Sequence, residues 1–416
     1  MRNYLAGNVV GATRDEVLAQ QLINLIFCKI YDEKFTKADG IVTFRAGIDE
    51  EPEEVATRIK KLFITVKKRF SDVLDVRDEI TLDDRSLYYV VGELQLFSLT
   101  NSPRDAIADA FEVFIGRAIK GGQGQFFTPR NVVKMIVQIL DPEPDDCILD
   151  PACGSGGFLV ESLKYCWDKT ESECKKLGWP EPEIEIEKQK IAIKNFRGID
   201  KDSFLAKVAK SYMALIGDGR GGVFCENSLE NPKNWSKKTQ TEIKMEAFDI
   251  VMTNPPFGAK IPIKGSEILK QFEFGHSWSY DKKKTEWTKG KLKEHETPQI
   301  LFIERCLQFL KPGGKLGIVL PDGILGNDKL GYIRKMIISK ATILAIIDVP
   351  IETFMPHTST KTSILILEKY RENEHRKKDY KIFMAIAETC GHNRRGDYIK
   401  DDDILKIPEL FKNHEK

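Results

Sequence analysis

A short segment with two prolines offers the clearest chemistry in this sequence of 416 residues. An apolar run at 248–251 leads into Asn254-Pro255-Pro256-Phe257. The prolines stiffen the chain and remove two N–H donors, whereas their carbonyls and the Asn254 side-chain oxygen remain as acceptors. Acceptors beside an aromatic ring suit a planar group that carries an amino substituent. A simple Asn-Pro turn with a buried phenylalanine is the plainer interpretation of the same residues.

A glycine-rich segment further upstream predicts a cofactor loop. From Asp150 to Phe158 the chain reads Asp-Pro-Ala-Cys-Gly-Ser-Gly-Gly-Phe, which predicts a strand, a tight turn and the start of a helix. Glycines in such a turn let the backbone approach a ligand closely. The next apolar run, 196–199, ends at Asp200, whose carboxylate can accept hydrogen bonds from two ribose hydroxyls. A structural turn and a helix cap are the competing interpretations.

These two segments together resemble the motifs of DNA methyltransferases that act on the N6 amino group of adenine. Upstream of them, residues 124–130 resemble the first cofactor motif of the modification subunits of type I restriction-modification systems. This motif lies before the glycine loop, as in the gamma arrangement of these enzymes. The resemblance is close over roughly residues 100–370 and includes four further segments: 310–316, 319–323, 352–354 and 361–365.

The resemblance implies S-adenosylmethionine as the cofactor. Residues 125–130 are expected to close over its methionine part, Asp200 to hold the ribose, and Asn227 to stand where relatives often carry Asp near the adenine. The residues expected to bind the cofactor are Gln125, Phe126, Phe127, Thr128, Pro129, Arg130, Asp150, Ala152, Gly154, Ser155, Gly156, Gly157, Asp200 and Asn227.

The resemblance also implies an adenine-specific DNA methyltransferase that works on a flipped base, because the target amino group cannot be reached inside a duplex. The catalytic residues would be Asn254, Pro255, Pro256 and Phe257, with Phe354 as the second ring of a sandwich around the base. Neither a metal nor a covalent protein nucleophile is required. The sequence has no Pro-Cys dipeptide, the motif expected of cytosine-C5 enzymes.

The elements that must position these loops are predicted from hydrophobic patterns. Apolar runs at 147–149, 196–199, 223–224, 248–251, 316–320, 343–349 and 362–367 alternate with helical stretches at 131–140, 158–167, 204–216, 299–310 and 330–338. This alternation predicts an α/β, Rossmann-like methyltransferase fold with a mixed, mostly parallel sheet. We predict a helical N-terminal domain at 1–115, the methyltransferase domain at 116–370 and a C-terminal extension at 371–416. The charged stretches 169–190 and 259–298 are predicted as excursions from the core.

Composition sets limits on partners and location. The net charge of +1 indicates that any DNA-binding surface is local or that a partner supplies phosphate contacts. The resemblance implies double-stranded DNA and a restriction subunit as partners. A separate specificity subunit is also expected, because the few residues after position 367 leave no room for the large recognition domain of gamma-type enzymes that work alone. A chain that is a fragment of a longer protein is the alternative. A cytoplasmic location without a membrane partner is expected from the absence of a long apolar segment or signal peptide.

Other functions remain open on the sequence alone. A methyltransferase for protein glutamine or RNA, and an assembly subunit that retains the fold without activity, are the main alternatives. A Rossmann dehydrogenase would have no use for the segment at 254–257, and the absence of Gly-Lys-Ser or Gly-Lys-Thr argues against a P-loop ATPase. Residues 278–287 interleave lysines with aromatics, which suits either a contact with the DNA backbone or a solvated charged loop.

Overall fold

The computed structural model describes residues 15–37, 39–99, 128–216, 222–258, 262–356, 358–372 and 379–415. The chain divides into two compact units, residues 1–123 with 210–221 and residues 124–209 with 222–416. Three predicted cofactor residues, Gln125, Phe126 and Phe127, lie outside the described residues. None of the helices in the described ranges combines the length and the apolar character needed to cross a membrane.

The first unit is helical over its described residues. It contains α1 (Asp15–Phe35), α2 (Pro52–Arg69) and α3 (Asp84–Leu94), and residues 15–37 and 39–99 form no strand. Proline in the first turn starts α2, and the Asp83 side chain caps α3 by accepting the Ser86 N–H at 2.9 Å. The apolar stripe of α2 is buried, as the helical spacing predicts. The predicted helical character of this region is therefore confirmed.

The second unit is built on an eight-stranded sheet. Its strands are β1 (Ile148–Asp150), β2 (Phe196–Asp200), β3 (Val223–Cys225), β4 (Phe248–Thr253), β9 (Leu310–Pro321), β10 (Ala341–Asp348), β11 (Thr362–Lys369) and β12 (Phe383–Ile386). The order across the sheet is β12-β10-β11-β9-β4-β1-β2-β3, and β11 alone runs against the other seven. The predicted mixed, mostly parallel sheet is confirmed.

Helices connect the strands, as parallel pairing requires. The helices that follow α3 along the chain are α4 (Arg130–Leu140), α5 (Gly157–Lys176), α6 (Glu181–Asn195), α7 (Ser203–Ile216), α8 (Lys237–Glu242), α9 (Ser266–Leu269), α10 (Pro298–Phe309), α11 (Asp322–Gly326), α12 (Gly331–Lys340) and α13 (Ile407–Glu415). The charged stretch 169–190 is not an irregular excursion, because it forms the end of α5 and the start of α6. Within 371–416, β12 joins the edge of the main sheet beside β10.

The shorter strands lie outside the main sheet. Between β4 and α10 the chain forms β5 (Ile263–Lys264), β6 (His276–Asp281), β7 (Glu286–Leu292) and β8 (His295–Glu296). β6 and β7 pair as an antiparallel hairpin, and β5 pairs with β8. Near the C-terminus β13 (Cys390–His392) pairs with β14 (Tyr398–Asp402). The region 259–298 thus leaves the main sheet, as predicted, but it does so with regular structure of its own.

The packing of β2 generates a stability prediction at Gly198. A Cβ atom at this position would lie 2.7 Å from Leu159 Cδ1 and 3.1 Å from Cys153 Sγ, both in the buried core. Gly198→Ala should therefore lower the free energy of unfolding by about 1–3 kcal/mol through overpacking. Urea unfolding of the two proteins measures this difference.

The matched control is Gly323→Ala in α11, where a Cβ atom meets nothing within 4 Å. Its unfolding free energy should be close to that of the unsubstituted chain, or slightly higher, because alanine is the better helix former. Equal stability of both variants would contradict the close packing assigned to Gly198.

Candidate active site

The candidate site lies where the strand order reverses. From β1 the chain proceeds outward through β2 to β3, and then returns to place β4 on the other side of β1. β1 and β4 are parallel neighbours, with Ile148 beside Ile250 and Leu149 beside Val251. Their carboxyl ends therefore meet, and the glycine loop and the Asn254 loop leave the sheet side by side. Ligands of open α/β sheets bind in the crevice at such a reversal.

Two glycines shape the first loop. Gly154 has φ +51° and Gly156 has φ +91°, a backbone region that L side chains rarely adopt. A Cβ at Gly156 would also lie 3.2 Å from Ala209 Cβ, whereas a Cβ at Gly154 would meet nothing within 4 Å. The Gly156 N–H donates to the Cys153 carbonyl at 2.7 Å, and α5 begins at the next residue. The loop thus turns tightly and presents open backbone at Gly154.

Asp200 connects this loop to the end of β2. One carboxylate oxygen accepts the Gly154 N–H and the other accepts the Asp202 N–H, both at 2.9 Å. Burial raises the pKa of the Asp200 carboxyl above its ordinary value. Each oxygen has a second lone pair, so the carboxylate can still accept from two neighbouring hydroxyls while it holds the loop. The ribose-binding role predicted for Asp200 remains a prediction.

Asp150 lies behind the loop. Its side chain is buried, and Oδ1 accepts the Ala152 N–H at 3.0 Å. Burial raises the pKa of the Asp150 carboxyl to about 7, since desolvation outweighs the hydrogen bonds that favour the charged form. In this structure the hydrogen bond between Asp150 and Ala152 stabilises the turn of the glycine loop.

A third loop, after β3, supports the first. Asn227 Oδ1 accepts the Leu229 N–H at 3.1 Å, and its backbone carbonyl accepts the Trp235 indole N–H at 3.0 Å. The buried Ser228 hydroxyl donates to the Pro151 carbonyl. Sequence reasoning missed Ser228, because a single serine after a strand carries no pattern of its own.

The side-chain amide of Asn254 is oriented by a residue far away in sequence. Asn254 Nδ2 donates to Thr128 Oγ1 at 3.0 Å, so the two residues are joined across 126 positions. Asn254 Oδ1 is buried and has no hydrogen-bond partner among the described residues. A buried carbonyl oxygen without a partner is unfavourable unless a ligand donor reaches it. In this structure Thr128, which is predicted to contact the cofactor, accepts the amide N–H and leaves Asn254 Oδ1 as the free acceptor.

The remaining residues of the first cofactor motif begin a helix. Pro129 precedes α4, which starts at Arg130, and Arg130 is exposed. Ser155 is half-buried within the glycine loop, and Gly157 is the first residue of α5.

The two aromatic rings predicted to sandwich a base contact each other. Phe257 is 5% exposed and Phe354 is 2% exposed. Their ring centroids are 6.3 Å apart with an interplanar angle of 87°, which is an edge-to-face contact. The rings therefore do not face each other as the sides of a sandwich do, because in this structure each ring is the packing partner of the other.

Two features define the class: a sheet in which only β11 is antiparallel, and a glycine loop at the point where the strand order reverses. They are typical of the Rossmann-like fold of the S-adenosylmethionine-dependent methyltransferases. The family model described as N-6 DNA Methylase matches residues 102–416, about three quarters of the sequence. The chain belongs to this family.

Among curated proteins, the chain is similar to the methylase subunits of type I restriction enzymes. It is 28% identical to the EcoEI methylase subunit of Escherichia coli over 312 residues, which cover 73% of this chain and 54% of that protein. It is 29% identical to the MjaVII methylase subunit of Methanocaldococcus jannaschii over 320 residues, which cover 75% of this chain and 48% of that protein. The chain thus spans about half the length of these relatives.

Solved structures share the fold. The methyltransferase subunit of a type I restriction-modification system from Streptococcus thermophilus aligns with a TM-score of 0.60 at 20% identity, over 100% of this chain and 80% of that one. A chain from a structural study of the assembly of a type I system aligns with a TM-score of 0.64 at 20% identity, over 96% and 78%.

The buried Asp150 carboxyl generates a pH-dependent prediction. Its pKa of about 7 lies above the ordinary value of 3.8, so the unfolded chain releases this proton at lower pH than the folded chain does. Asp150 therefore makes stability fall as pH rises from about 3.8 to about 7. Asp150→Asn keeps an acceptor for the Ala152 N–H and removes the titration. Relative to the unsubstituted chain, this variant should gain stability as pH rises through that window.

Urea midpoints at about pH 5 and about pH 8 measure the effect. Asp145→Asn, at an exposed position in the turn before β1, controls for the substitution itself. A stability difference between the Asp150 variant and the unsubstituted chain that is constant with pH would contradict a neutral, buried Asp150.

Proposed function

We propose that this chain transfers the methyl group of S-adenosylmethionine to the N6 amino group of an adenine flipped out of double-stranded DNA. The observation that carries the proposal is the state of Asn254. Its amide is held by Thr128 so that a buried carbonyl oxygen remains available, on a loop beside the glycine loop at the strand reversal. An exocyclic amine is a donor that would satisfy this oxygen.

The residues present fit the cofactor. Open backbone at Gly154 and the remaining acceptor capacity of Asp200 suit a nucleoside with ribose hydroxyls. Asn227 and the glycine loop from Gly154 to Gly157 would hold the rest of the cofactor. Thr128 would contact the cofactor on the side nearest Asn254. When bound, S-adenosylmethionine supplies an electrophilic methyl group on a sulfonium.

The chain's own contribution is positioning and electrostatics. The lone pair of an adenine N6 is delocalised into the ring, which makes the amine a poor nucleophile. Acceptance of its N–H bonds by Asn254 Oδ1 and the Pro255 carbonyl would hold the nitrogen in place and increase its electron density. Pro255 and Pro256 make the loop rigid, so these acceptors need little reorganisation during the reaction. Such alignment accounts for much of the rate of a transfer between two bound groups.

Entry of a base requires a change in the aromatic pair. Phe257 and Phe354 now meet edge to face, and a planar base stacks on a ring only when that ring's face is exposed to it. At least one of the two rings must therefore turn or withdraw before a flipped adenine can stack. In this proposal Phe257 is the stacking ring and Phe354 is the neighbour that closes the site when it is empty.

Partners follow from the relatives and from charge. The relatives are methylase subunits of restriction enzymes, so we propose that this chain works with a separate specificity subunit and a restriction subunit on double-stranded DNA. A net charge of +1 supports the sharing of DNA contacts among several subunits, because a nearly neutral chain attracts DNA only through local surfaces.

Asn254→Ala tests the proposal directly. Removal of the acceptor should abolish N6-methyladenine formation and leave the dissociation constant of S-adenosylmethionine nearly unchanged, because the amide is assigned to the amine and not to the cofactor. Methylated adenines are mapped by sequencing in cells that carry this gene and its neighbours, and cofactor affinity is measured by calorimetry. Methylation at the normal level in this variant, or methyl label found in RNA or protein instead of DNA, would refute the proposal.

Thr128 is a positioning residue in this scheme, and its variants separate orientation from binding. Thr128→Val keeps the shape but loses the hydrogen bond to Asn254, so the amide is no longer held. We expect kcat to fall by about 10- to 100-fold with a much smaller change in cofactor affinity. Thr128→Ser retains a hydroxyl and should restore most of the rate. A valine variant with full activity, or a serine variant as impaired as valine, would show that the bond does not orient the amide.

A further inference from the structure

The hairpin of β6 and β7 has a defined shape. Trp278 pairs with Lys289 and Tyr280 pairs with Trp287 across the two strands. At its tip, Asp281 Oδ1 accepts the N–H of Lys283 at 2.8 Å and that of Lys284 at 3.3 Å. These bonds close a tight turn over residues 282–285, which we call the lysine tip.

The hairpin is fixed to the second unit by an aromatic cluster around Tyr332. The Trp278 ring stacks on Tyr332 with centroids 5.8 Å apart and an interplanar angle of 7°, and the Trp287 ring meets Tyr332 at 5.6 Å. Gly331 makes room for this contact, since a Cβ atom there would lie 2.8 Å from Trp287 Cζ2. Lys293 Nζ lies 5.3 Å from the Tyr332 ring centroid and pairs with Glu296. The hairpin base is therefore packed rather than loose.

The hairpin carries an excess of positive charge. Residues 276–292 contain five lysines and two carboxylates, in a chain whose total charge is only +1. Lys289 forms an ion pair with Glu273 at 2.8 Å. The other four, Lys282, Lys283, Lys284 and Lys291, are exposed, and no carboxylate in the described ranges forms an ion pair with them. Three adjacent lysines in a hydrogen-bonded turn, none of them ion-paired among the described residues, favour a polyanion.

The hairpin emerges at the same edge of the sheet as the candidate site. The chain leaves β4 through the Asn254 loop, enters the hairpin region by way of β5, and β5 pairs with β8 at the hairpin's base. Tyr332, on which the hairpin packs, lies at the start of α12. This helix comes after the carboxyl end of β9, and β9 is a parallel neighbour of β4. Two separate connections thus place the hairpin at the edge that carries both loops.

We propose that the lysine tip binds the phosphodiester backbone of duplex DNA. The choice of duplex DNA rests on the proposed function, whereas the hairpin's preference for an anionic strand rests on its own charge and seating. Lysine suits this task because its ammonium is a point charge on a flexible stem, which contacts phosphates without reading base edges. The tip therefore contributes affinity and placement, and it does not choose the sequence.

The test is the salt dependence of binding to a short, mixed-sequence DNA duplex, measured by fluorescence anisotropy with the full chain. The variant replaces Lys282, Lys283 and Lys284 with alanine. Each phosphate contact contributes about 0.9 to the slope of log K against log salt, so the slope should fall by about 2 to 3. The control replaces three exposed lysines of α5 and α6, K176A, K190A and K194A, which removes the same charge away from the hairpin. This control should bind like the unsubstituted chain.

Two results would overturn the proposal: an unchanged slope in the tip variant, or an equal fall in the control. Absence of duplex binding by the unsubstituted chain at about 50 mM salt would also overturn it. A loss confined to double-stranded RNA would assign the tip to RNA instead. The test is separate from the proposed reaction, because duplex binding is measured without S-adenosylmethionine and its salt slope does not depend on methyl transfer.

Discussion

The parallel pairing of β1 with β4 is the constraint on which the site depends. Because Ile148 lies beside Ile250, the ends of the two strands coincide, and the loops that follow them must share one crevice. A shift of register by one residue would turn every side chain of β4 to the opposite face and separate the loops. Val251 and Met252 both lie in the core, so β4 is buried on both of its faces. The position of Asn254 is thus set by the sheet, and its rigidity by the two prolines that follow.

Hydrogen bonds of buried polar side chains hold the loops at this edge and connect the ends of different strands. Asp200 ties the glycine loop to β2, Asp150 braces the same loop from below, and Ser228 ties it to the loop after β3. Burial raises the pKa of both carboxyls, so the uncharged form of each is favoured more than in water. A positively charged ligand nearby would reverse this effect by stabilising the carboxylates.

Local patterns predicted seven of the eight strands of the main sheet, the helices α4, α5, α7, α10 and α12, and the loops after β1 and β4, because strand, turn and helix signals are short-range. The Thr128–Asn254 bond spans 126 residues and the Ser228–Pro151 bond spans 77, and neither leaves a local signal. Charge density led to the stretch 169–190 being predicted as an excursion, although burial of Ile184 makes α6 a packed helix. The strand β12 has four residues with alternating burial, too short to stand out from a polar terminal segment. The edge-to-face contact of Phe257 with Phe354 could not be predicted, since ring orientation depends on what fills the space between the rings.

A nearly neutral protein that works on a polyanion must concentrate its positive charge. Here a hairpin inserted between the Asn254 loop and the next strand of the sheet carries five lysines and two carboxylates, and its base packs on Tyr332. Since β5 and β8 pair at the base of this insertion, a backbone phosphate held at the tip would restrain the segment that follows the Asn254 loop. Phosphate contacts fix the register of a duplex but carry no sequence information. Under the proposed function, three tasks are separated: the hairpin would hold the strand, the proline loop would act on one base, and the choice of sequence would be left to other surfaces.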